Sequence, residues 1–229
     1  MPRRSDDRAT TRSSARLSRE GIVAAGIALA DAEGLAGLSM RRLAQHLGVD
    51  AMSIYYHLHD KEALLDAMAD AVVAEIGAAP APDGGGWAAG LRALIMAARQ
   101  TMLRHPWAAG LLSGRRAPTP AVLDHIERAL AVLRAGGCSV DLSHHAIHLF
   151  GSRLLGFSQD LFDDSPANRP TPAEAAAQAA AFANTHPHVA ELAAAVSHDG
   201  PLGACDDDEE FAFVLDVLIE GLDRRRRNG

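Results

Sequence analysis

Residues 51–58 combine hydroxyl, imidazole and thioether side chains at the spacing of one short helix. If Ile54 and Leu58 face inwards, the helix exposes its other large or polar side chains, which are Met52, Ser53, Tyr55, Tyr56 and His57. Tyrosine and histidine can donate hydrogen bonds to phosphate oxygens, whereas serine and methionine suit base edges and thymine methyl groups. Both tyrosines of the chain lie here. The pattern predicts contact with a nucleic acid, and the alternative is a chance aromatic patch or a protein contact.

Two positively charged residues flank this segment. Arg41 lies near the start of the preceding predicted helix, from which its guanidinium could reach a guanine. Lys61, the only lysine of the chain, lies at the predicted N-terminus of the following helix, where backbone N–H groups and the helix dipole both favour a phosphate. We therefore expect Arg41 to contact a base and Lys61 to contact a phosphate. The alternative for both is ordinary surface charge.

The sequence around these charges, residues 39–61, has the spacing of a helix-turn-helix motif. Two helices that cross at a short turn need a small apolar core, a small residue at the crossing and a residue that accepts a positive φ at the turn. Ala44 meets the second requirement and Gly48 meets the third. The apolar core is predicted from Leu43, Leu47, Val49 and Ile54. The motif would hold residues 51–58 as an exposed second helix.

The rest of the chain predicts helices and no strand. Alanine is frequent, aromatic residues make up only 4%, and no alternation typical of strands occurs. Ser18 can cap a first helix that stops near Gly34, and Ser39, Asp50 and Asp60 can cap the next three. Apolar periodicity places the later helices at 40–47, 51–58, 61–76, 87–104, 106–113, 119–135, 140–163, 172–184 and 207–226, with 187–196 as an optional short helix. The predicted fold class is all-α.

A stretch rich in glycine and proline, Gly77–Gly86, interrupts this series of helices. Such a composition cannot continue a helix, and it fits a linker between domains as well as a loop within one. We expect three regions. They are a flexible basic arm at 1–16, a helix-turn-helix domain at 17–77 and a second helical domain at 78–229.

Charge and composition restrict the class of protein. The net charge is −7, but residues 1–61 carry +2 and residues 62–229 carry −9, so the acidity does not argue against a nucleic-acid partner for the first domain. Cys138 and Cys205 form no paired motif, which gives no sign of a metal or redox centre. No secretory signal and no window of 18 uninterrupted apolar residues is visible. We expect a cytoplasmic protein with no membrane segment and no cofactor.

Residues 18–76 resemble the N-terminal DNA-binding domain of the TetR family of bacterial transcriptional regulators. The similarity runs from Leu35-Ala-Gly-Leu-Ser-Met-Arg-Arg-Leu-Ala through Gly48-Val-Asp to Ser53-Ile-Tyr-Tyr-His-Leu and Lys61-Glu-Ala-Leu-Leu-Asp. In that family the helix after the turn enters the major groove. The resemblance implies DNA contacts at Ser39, Met40, Arg41, Ala51, Met52, Ser53, Tyr55, Tyr56, His57 and Lys61.

A weaker resemblance continues downstream, towards the tetracycline-repressor branch of the family. It rests on Trp87, His105-Pro106, Gly114-Arg-Arg, Gly137-Cys-Ser139 and the stretch from Gly151 to Gly156-Phe157. The resemblance implies a helical domain that binds a small-molecule effector and forms a homodimer. We expect the effector to contact Leu94, Trp107, Leu111, Leu112, His148, Phe150 and Phe157.

The chain departs from the tetracycline branch at positions that hold the drug. Leu112 stands where that branch has the histidine that ligates drug-bound magnesium. Leu94 replaces an asparagine contact, and Gly77 replaces a histidine contact. We therefore expect an effector that is more apolar than a tetracycline–magnesium complex. Its binding would favour a dimer with wrongly spaced DNA-binding domains, so the affinity for DNA would fall.

Two predicted helices carry long apolar stripes that could join two copies of the chain. The stripes comprise Ile147, Leu154 and Leu161 on one helix and Phe211, Val214, Leu215, Leu218, Ile219 and Leu222 on the other. We expect them to form a two-fold four-helix bundle, since a protein with one DNA-binding domain needs a second copy to span a palindromic operator. The alternative is that both stripes belong to the core of a single chain.

Four polar residues, Asp141, His144, His145 and His148, share one predicted helix face. Histidines four residues apart can bind a metal, but no residue is placed to complete a zinc motif. The main prediction is a DNA-binding repressor released by an effector, without enzymatic activity. A helical metal-dependent enzyme that uses this cluster is one alternative, and a ligand-dependent activator is another.

Overall fold

The structure of the chain is a computed structural model that describes residues 17–77, 86–115, 117–156 and 207–228, with scattered positions between 171 and 191. The regular elements in these ranges are helices. They are α1 (Arg19–Gly37), α2 (Met40–Leu47), α3 (Ala51–Tyr55), α4 (Lys61–Gly77), α5 (Gly86–Arg104), α6 (Pro106–Ser113), α7 (Pro120–Ala135), α8 (Val140–Gly156) and α9 (Asp207–Asn228). The all-α prediction is confirmed. The basic arm 1–16, the stretch 157–163 and most of the helices expected at 172–196 lie outside the described residues.

Local signals in the sequence determine where the first helices begin and turn. Ser18 caps α1 by accepting a hydrogen bond from the backbone N–H of Gly21 at 3.0 Å. Gly34 has φ 73 and ψ 167, so the helix is broken there as predicted, although helical hydrogen bonding resumes and ends only at Gly37. Gly48 has φ 67 and ψ 31, the left-handed conformation that the turn between α2 and α3 requires.

The helix-turn-helix has the predicted apolar core. Leu43 and Ile54 are completely buried, and Ala44 is buried on α2, which packs against α3. Leu47 and Val49 pack against the same cluster from its edge. The cluster extends into α1 and α4 through fully buried side chains, which are Ile22, Leu64 and Met68. Helices α1–α3 form the three-helix domain that is called the reading head below.

The chain divides into two compact units, and their boundary is not a single point in the sequence. The first unit comprises the chain up to Ala74 together with Met102–Ala121, and the second comprises Glu75–Thr101 and the chain from Val122 onwards. Helix α6 belongs to the first unit because it packs against α1. The expected division into 17–77 and 78–229 therefore separates α6 from the helices that it contacts.

The second unit has its own apolar cluster. It joins α5, α7, α8 and α9 through buried side chains, among them Leu91, Ile95, Leu133, Ala146, Phe150, Phe211, Leu215, Ile219 and Leu222. Arg92 pairs with Asp216 at 3.4 Å, and Arg99 pairs with Asp208 at 2.9 Å, so α5 and α9 run antiparallel. The Arg99 guanidinium also lies 4.5 Å from the ring centroid of Phe211. No helix in the described part of the chain is long and apolar enough to cross a membrane.

The burial pattern corrects the prediction for the dimer interface. Phe211, Leu215, Ile219 and Leu222 pack inside the second unit. Ile147 and Leu218 pack against this cluster with partial exposure, and Val214 is also half-buried. The side chain of Leu154, and Leu161 as a whole, lie outside the described residues.

The physical reason is that α9 is apolar on two sides. One stripe packs against α5 and α8, whereas Phe213, with 66% of its surface exposed, and Val217 point away from the cluster. Periodicity alone could not tell which stripe the core would take.

Candidate nucleic-acid interface

Residues 51–58 expose the face that the sequence predicted, although α3 ends at Tyr55 and not near Leu58. Ile54 and Leu58 are buried, whereas Met52 is 65% exposed and Tyr56 is 90% exposed. Tyr55 and His57 are exposed as well. Ser53 and Ala51 are half-buried beside them. The exposed side chains offer hydroxyl, imidazole and thioether groups to a partner, and their contact with DNA stays a prediction.

Side-chain caps fix the helices that carry these residues. The carboxylate of Asp50 accepts a hydrogen bond from the backbone N–H of Met52 at 2.8 Å and so begins α3. Ser39 accepts one from the N–H of Arg42 at 3.2 Å at the start of α2. Asp60 accepts one from the N–H of Ala63 at 2.7 Å at the start of α4. Each cap satisfies a backbone donor that the first helical turn would leave unpaired, so the three helix starts are well defined.

The charged residues of α2 have different roles. Arg42 donates two hydrogen bonds to Glu33 of α1, at 2.6 and 3.3 Å. These hydrogen bonds hold the pKa of the Glu33 carboxyl below its usual value. Arg41 and Lys61 are exposed. Because Arg42 is paired with α1, Arg41 is the better candidate for a contact with DNA.

Met40 corrects the predicted set of DNA contacts. Its side chain is only 7% exposed and belongs to the apolar cluster of the first unit. As the first residue of α2, Met40 faces inwards, whereas Ser39 and Arg41 on either side of it are exposed. A methionine packed in the core cannot present its thioether to a base.

The predicted effector contacts do not all lie in one unit. Leu94 and Phe150 lie in the second unit, where Phe150 is buried, and His148 is exposed on α8. Trp107 and Leu111 instead pack against the apolar cluster of the first unit. Leu112 is half-buried in the first unit, and Phe157 lies outside the described residues. The reason for the difference is the packing of α6 on α1, which the sequence does not show.

Two groups of polar contacts that the sequence did not predict hold the ends of α6. Before α6, Asp31 of α1 accepts hydrogen bonds from His105 and Trp107. After α6, Arg115 pairs with Glu62 at 3.0 Å and with Asp66 at 2.9 Å. Arg115 lies 53 residues from Glu62 in the sequence, and His105 lies 74 residues from Asp31. No local pattern could have revealed these contacts.

The histidines of α8 lie close together but do not form a metal site with three ligands. The rings of His144 and His148 are 4.6 Å apart between centroids, and those of His144 and His145 are 5.7 Å apart. In the part of the chain that the structure describes, no group of three or more His, Cys, Asp or Glu residues could hold a metal ion. The alternative of a metal-dependent enzyme built on Asp141 and these histidines has no support.

The first unit contains a folded helix-turn-helix whose second helix is exposed and polar, and the second unit is also helical. The fold therefore defines a helix-turn-helix protein with two units. The chain belongs to the TetR family. Residues 22–68 match the model of the bacterial regulatory proteins of the tetR family. Residues 79–226 match the model of the tetracyclin repressor-like, C-terminal domain.

Individual relatives agree with this assignment. The HTH-type transcriptional repressor DrrR1 of Streptomyces coeruleorubidus is 35% identical over 156 residues, which are 68% of this chain and 57% of that protein. The tetracycline repressor protein class D of Escherichia coli is 30% identical over 210 residues, which are 91% of this chain and 90% of that protein. The match therefore spans little more than half of DrrR1 and nearly the whole of the class D repressor.

Solved structures show the same architecture. The Streptomyces coelicolor TetR family protein ActR in complex with actinorhodin has a TM-score of 0.70 and 28% sequence identity, and the match covers 93% of this chain and 99% of that one. Apo ActR has a TM-score of 0.68 at 28% identity, over 90% of this chain and 94% of that one. The similarity extends over both units.

Proposed function

We propose that the protein is a sequence-specific DNA-binding transcriptional repressor that a small-molecule effector releases from its operator. The observation that carries this proposal is the exposed face of α3 on a folded helix-turn-helix, with Met52, Tyr55, Tyr56 and His57 outside and Ile54 inside. Relatives that are named repressors favour repression over activation. Because the operator is DNA, we place the protein in the cytoplasm. We assign it no enzymatic activity, because binding and release of an operator need no covalent chemistry.

In this proposal α3 enters the major groove of one half-site. Met52 and Ser53 face base edges, and Tyr55, Tyr56 and His57 donate to phosphate oxygens or bases. Ala51 lies close enough to the groove to affect which bases fit. Ser39 and Arg41 approach from the start of α2, and Lys61 holds a phosphate at the start of α4. Met40 is left out because it is buried.

The charge distribution indicates how the protein would discriminate between sequences. Residues 1–61 carry a net charge of only +2. Non-specific affinity for DNA depends mainly on positive charge, so it should be modest. Specificity would then depend on the geometry of the hydrogen-bonding side chains of α3 and of Arg41.

We propose that two copies of the chain bind a palindromic operator as a homodimer. Three exposed apolar side chains of the second unit, Phe213 and Val217 on α9 and Val140 on α8, support a protein–protein contact. The half-buried Ile147, Val214 and Leu218 can add to it. In this proposal these side chains form the dimer contact instead of Phe211, Leu215, Ile219 and Leu222, which are buried within the second unit.

The effector is proposed to be a largely apolar small molecule. By the resemblance to the tetracycline branch, Leu112 stands in place of the histidine that ligates magnesium, and Leu94 and Gly77 replace two polar drug contacts. ActR, which has this architecture, has been solved in complex with actinorhodin. Leu94 and Phe150 of the second unit are the strongest remaining candidates for contact with the effector.

Selection of bound duplexes from a random DNA pool tests the proposal. A palindrome should be recovered at low salt and lost at high salt.

Arg41→Ala should cost about 1–3 kcal/mol of binding free energy and relax the preference at one base pair. Lys61→Ala should weaken binding to all sequences alike and reduce the salt slope by about one. Arg224→Ala, an exposed arginine of α9, is the control. Unchanged operator binding for both Arg41→Ala and Lys61→Ala would show that the contacts are wrongly assigned.

A further inference from the structure

Arg128 of α7 lies against Gly77, the last residue of α4. A Cβ atom added to Gly77 would lie 2.7 Å from Nη2 and 2.8 Å from Cζ of Arg128, which is closer than such atoms can pack. The guanidinium therefore occupies space that is open only because residue 77 has no side chain. Both residues belong to the second unit.

The charge of Arg128 is not neutralised by the residues around it. Asp124 precedes it by four residues, the spacing at which an acid and a base pair on the surface of a helix. Among the described residues, however, neither Asp124 nor any other carboxylate forms an ion pair with Arg128. Arg128 is exposed, so the N–H donors of its guanidinium are available to a ligand.

His125, one turn before Arg128 on α7, adds a second polar group. Its Nδ1 atom is shielded from solvent and has no hydrogen-bond partner among the residues that the structure describes. Burial, and after it the charge of Arg128, lower the pKa of His125, so the imidazole is mainly neutral near pH 7. Buried polar atoms nearly always have a partner, so a ligand that brings an oxygen atom to this imidazole is favoured.

Helices α5 and α7 pack against each other in opposite directions. The ring of Trp87, at the start of α5, lies against Gly136, which directly follows α7. One turn further along α5, a Cβ atom at Gly90 would lie 3.5 Å from Cγ1 of Val132. The residue numbers rise on one helix as they fall on the other, so the pair is antiparallel.

This register brings Arg128 level with a residue that we expect to contact the effector. Leu94 follows Gly90 by four residues on α5, and Arg128 precedes Val132 by four residues on α7. Each step is about one helical turn, so Leu94 and Arg128 lie at the same level of the antiparallel pair. Leu94 is half-buried and apolar. An apolar surface and an unpaired cation therefore lie close together within the second unit.

We propose that the effector is an apolar ring compound with a carboxylate group, and that Arg128 binds this carboxylate. The planar guanidinium can donate to both carboxylate oxygens, while Leu94 contacts the ring and His125 supplies a further hydrogen bond. A singly charged group fits better than a phosphate dianion, because Asp124 and Glu127 are also exposed on α7 and repel additional negative charge. The inference rests on the proposed function and names the chemical class of its effector.

The test uses three aromatic acids, benzoate, naphthoate and anthracenecarboxylate, each paired with the alcohol that carries CH2OH in place of the carboxylate. Calorimetric titration of the full-length protein gives the ratio of the affinities for each acid and its alcohol. At least one acid should bind more tightly than its alcohol. Arg128→Gln should lower that ratio by about tenfold, the effect of a hydrogen bond to a charged group. Its affinity for the alcohol should stay nearly unchanged.

Gly77→Ala tests the geometry without removing a charge. The new Cβ atom would displace the guanidinium of Arg128, so the ratio should fall here too. Arg224→Gln is the matched control, since it makes the same chemical change at an exposed arginine of α9. Its ratio should equal that of the unchanged protein. A ratio of affinities does not depend on the fraction of folded protein, so a variant that is only less stable would leave it unchanged.

Two results would overturn the inference and leave the proposed function, which DNA selection tests separately, in place. One is that no acid binds more tightly than its alcohol, and the other is that Arg128→Gln keeps the full ratio. An equal fall in Arg224→Gln also overturns it, because loss of any positive charge would then suffice. If the unchanged protein selects no DNA, the proposed function fails, and the ratio still decides whether Arg128 binds a carboxylate.

Discussion

Helices α3 and α9 expose opposite kinds of surface. Helix α3 and the two residues that follow it, 51–57, bury Ile54 and present hydroxyl, imidazole and thioether groups. The 22-residue α9 buries one apolar stripe and exposes a second, which includes Phe213 and Val217. A polar surface of this kind suits the donors and acceptors of DNA, whereas an apolar surface suits another protein. The two surfaces match the two proposed partners, which are DNA for the first unit and a second copy of the chain for the second.

The two helices also differ in what holds them. The orientation of α3 is fixed within a dozen residues by the caps Ser39 and Asp50 and by the turn at Gly48. The orientation of α9 depends on contacts with α5 that are 109 and 124 residues away in the sequence. A change in the local sequence should therefore be enough to disturb α3, whereas only contacts with distant segments distinguish the two sides of α9.

Two phenylalanines of α9 give the largest expected difference. Phe211→Ala removes a side chain that is 6% exposed and should lower the free energy of unfolding by about 3–5 kcal/mol. Phe213→Ala removes an exposed ring and should leave the stability of the subunit within about 0.5 kcal/mol of the original. It should instead weaken the proposed dimer. Denaturant unfolding measures the first effect, and sedimentation over a concentration series measures the second. Equal losses of stability would contradict the assignment of the two faces.

Two glycines test whether backbone conformation acts locally in the first unit. A Cβ atom at either Gly48 or Gly110 would meet no atom within 4 Å, so neither substitution would cause a steric clash. Gly48 has φ 67, and Gly48→Ala should cost about 1–2 kcal/mol. Gly110 lies inside α6, where alanine should stabilise the helix by about 0.5–1 kcal/mol. Thermal unfolding of the two variants should show shifts of opposite sign, and shifts of the same sign would refute the explanation.

Two serine caps should behave alike in the two units. Ser39 accepts a hydrogen bond from the N–H of Arg42 at 3.2 Å, and Ser139 accepts one from the N–H of Leu142 at 3.1 Å. Replacement of either serine by alanine should cost about 1 kcal/mol, because each leaves one backbone donor uncapped. Ser113→Ala, which removes a hydroxyl from the end of α6, is the control. If chemical denaturation shows that the two substitutions lower the free energy of unfolding by very different amounts, the effect of the caps does not depend on the local hydrogen bond alone.

The smallest effect is a dependence of stability on pH in the second unit. Burial and the neighbouring Arg128 lower the pKa of His125 below its usual value near 6.5. The unfolded chain then binds more protons than the folded one, so stability is complete above about pH 6.5 and falls as the pH drops below it. His125→Gln should reduce this acid loss in thermal unfolding between pH 7.5 and 5.5. Parallel curves for the two proteins would exclude a contribution from His125.

The sequence was sufficient for the reading head because its constraints are short-range. Caps, a turn glycine and four apolar positions within about twenty residues allow one arrangement, and Leu43, Ile54 and Gly48 take the expected places. Met40 was assigned to DNA by its place in the motif, but its side chain faces the core. The exposed face of α3 could be predicted because the inward direction of Ile54 determines which of its neighbours face outwards.

The second unit could be predicted only as a set of helices. On α9 the side chains of Phe211 and Phe213 are chemically identical, and nothing in the local sequence says which of them meets α5. Trp107 and Leu111 were expected to line an effector site, but the packing of α6 on α1 places both against the first apolar cluster. These outcomes depend on contacts between distant segments, which periodicity does not encode.

The sequence by itself determined the all-helical fold, the helix-turn-helix and the exposed chemistry of Met52, Tyr55, Tyr56 and His57, because all of these follow from residues that are neighbours along the chain. Only the tertiary structure decided which apolar stripe of α9 is buried, that α6 packs with α1, and that the Asp31 carboxylate accepts from His105 and Trp107. The physical reason is that burial and hydrogen bonding between distant segments depend on which surfaces meet.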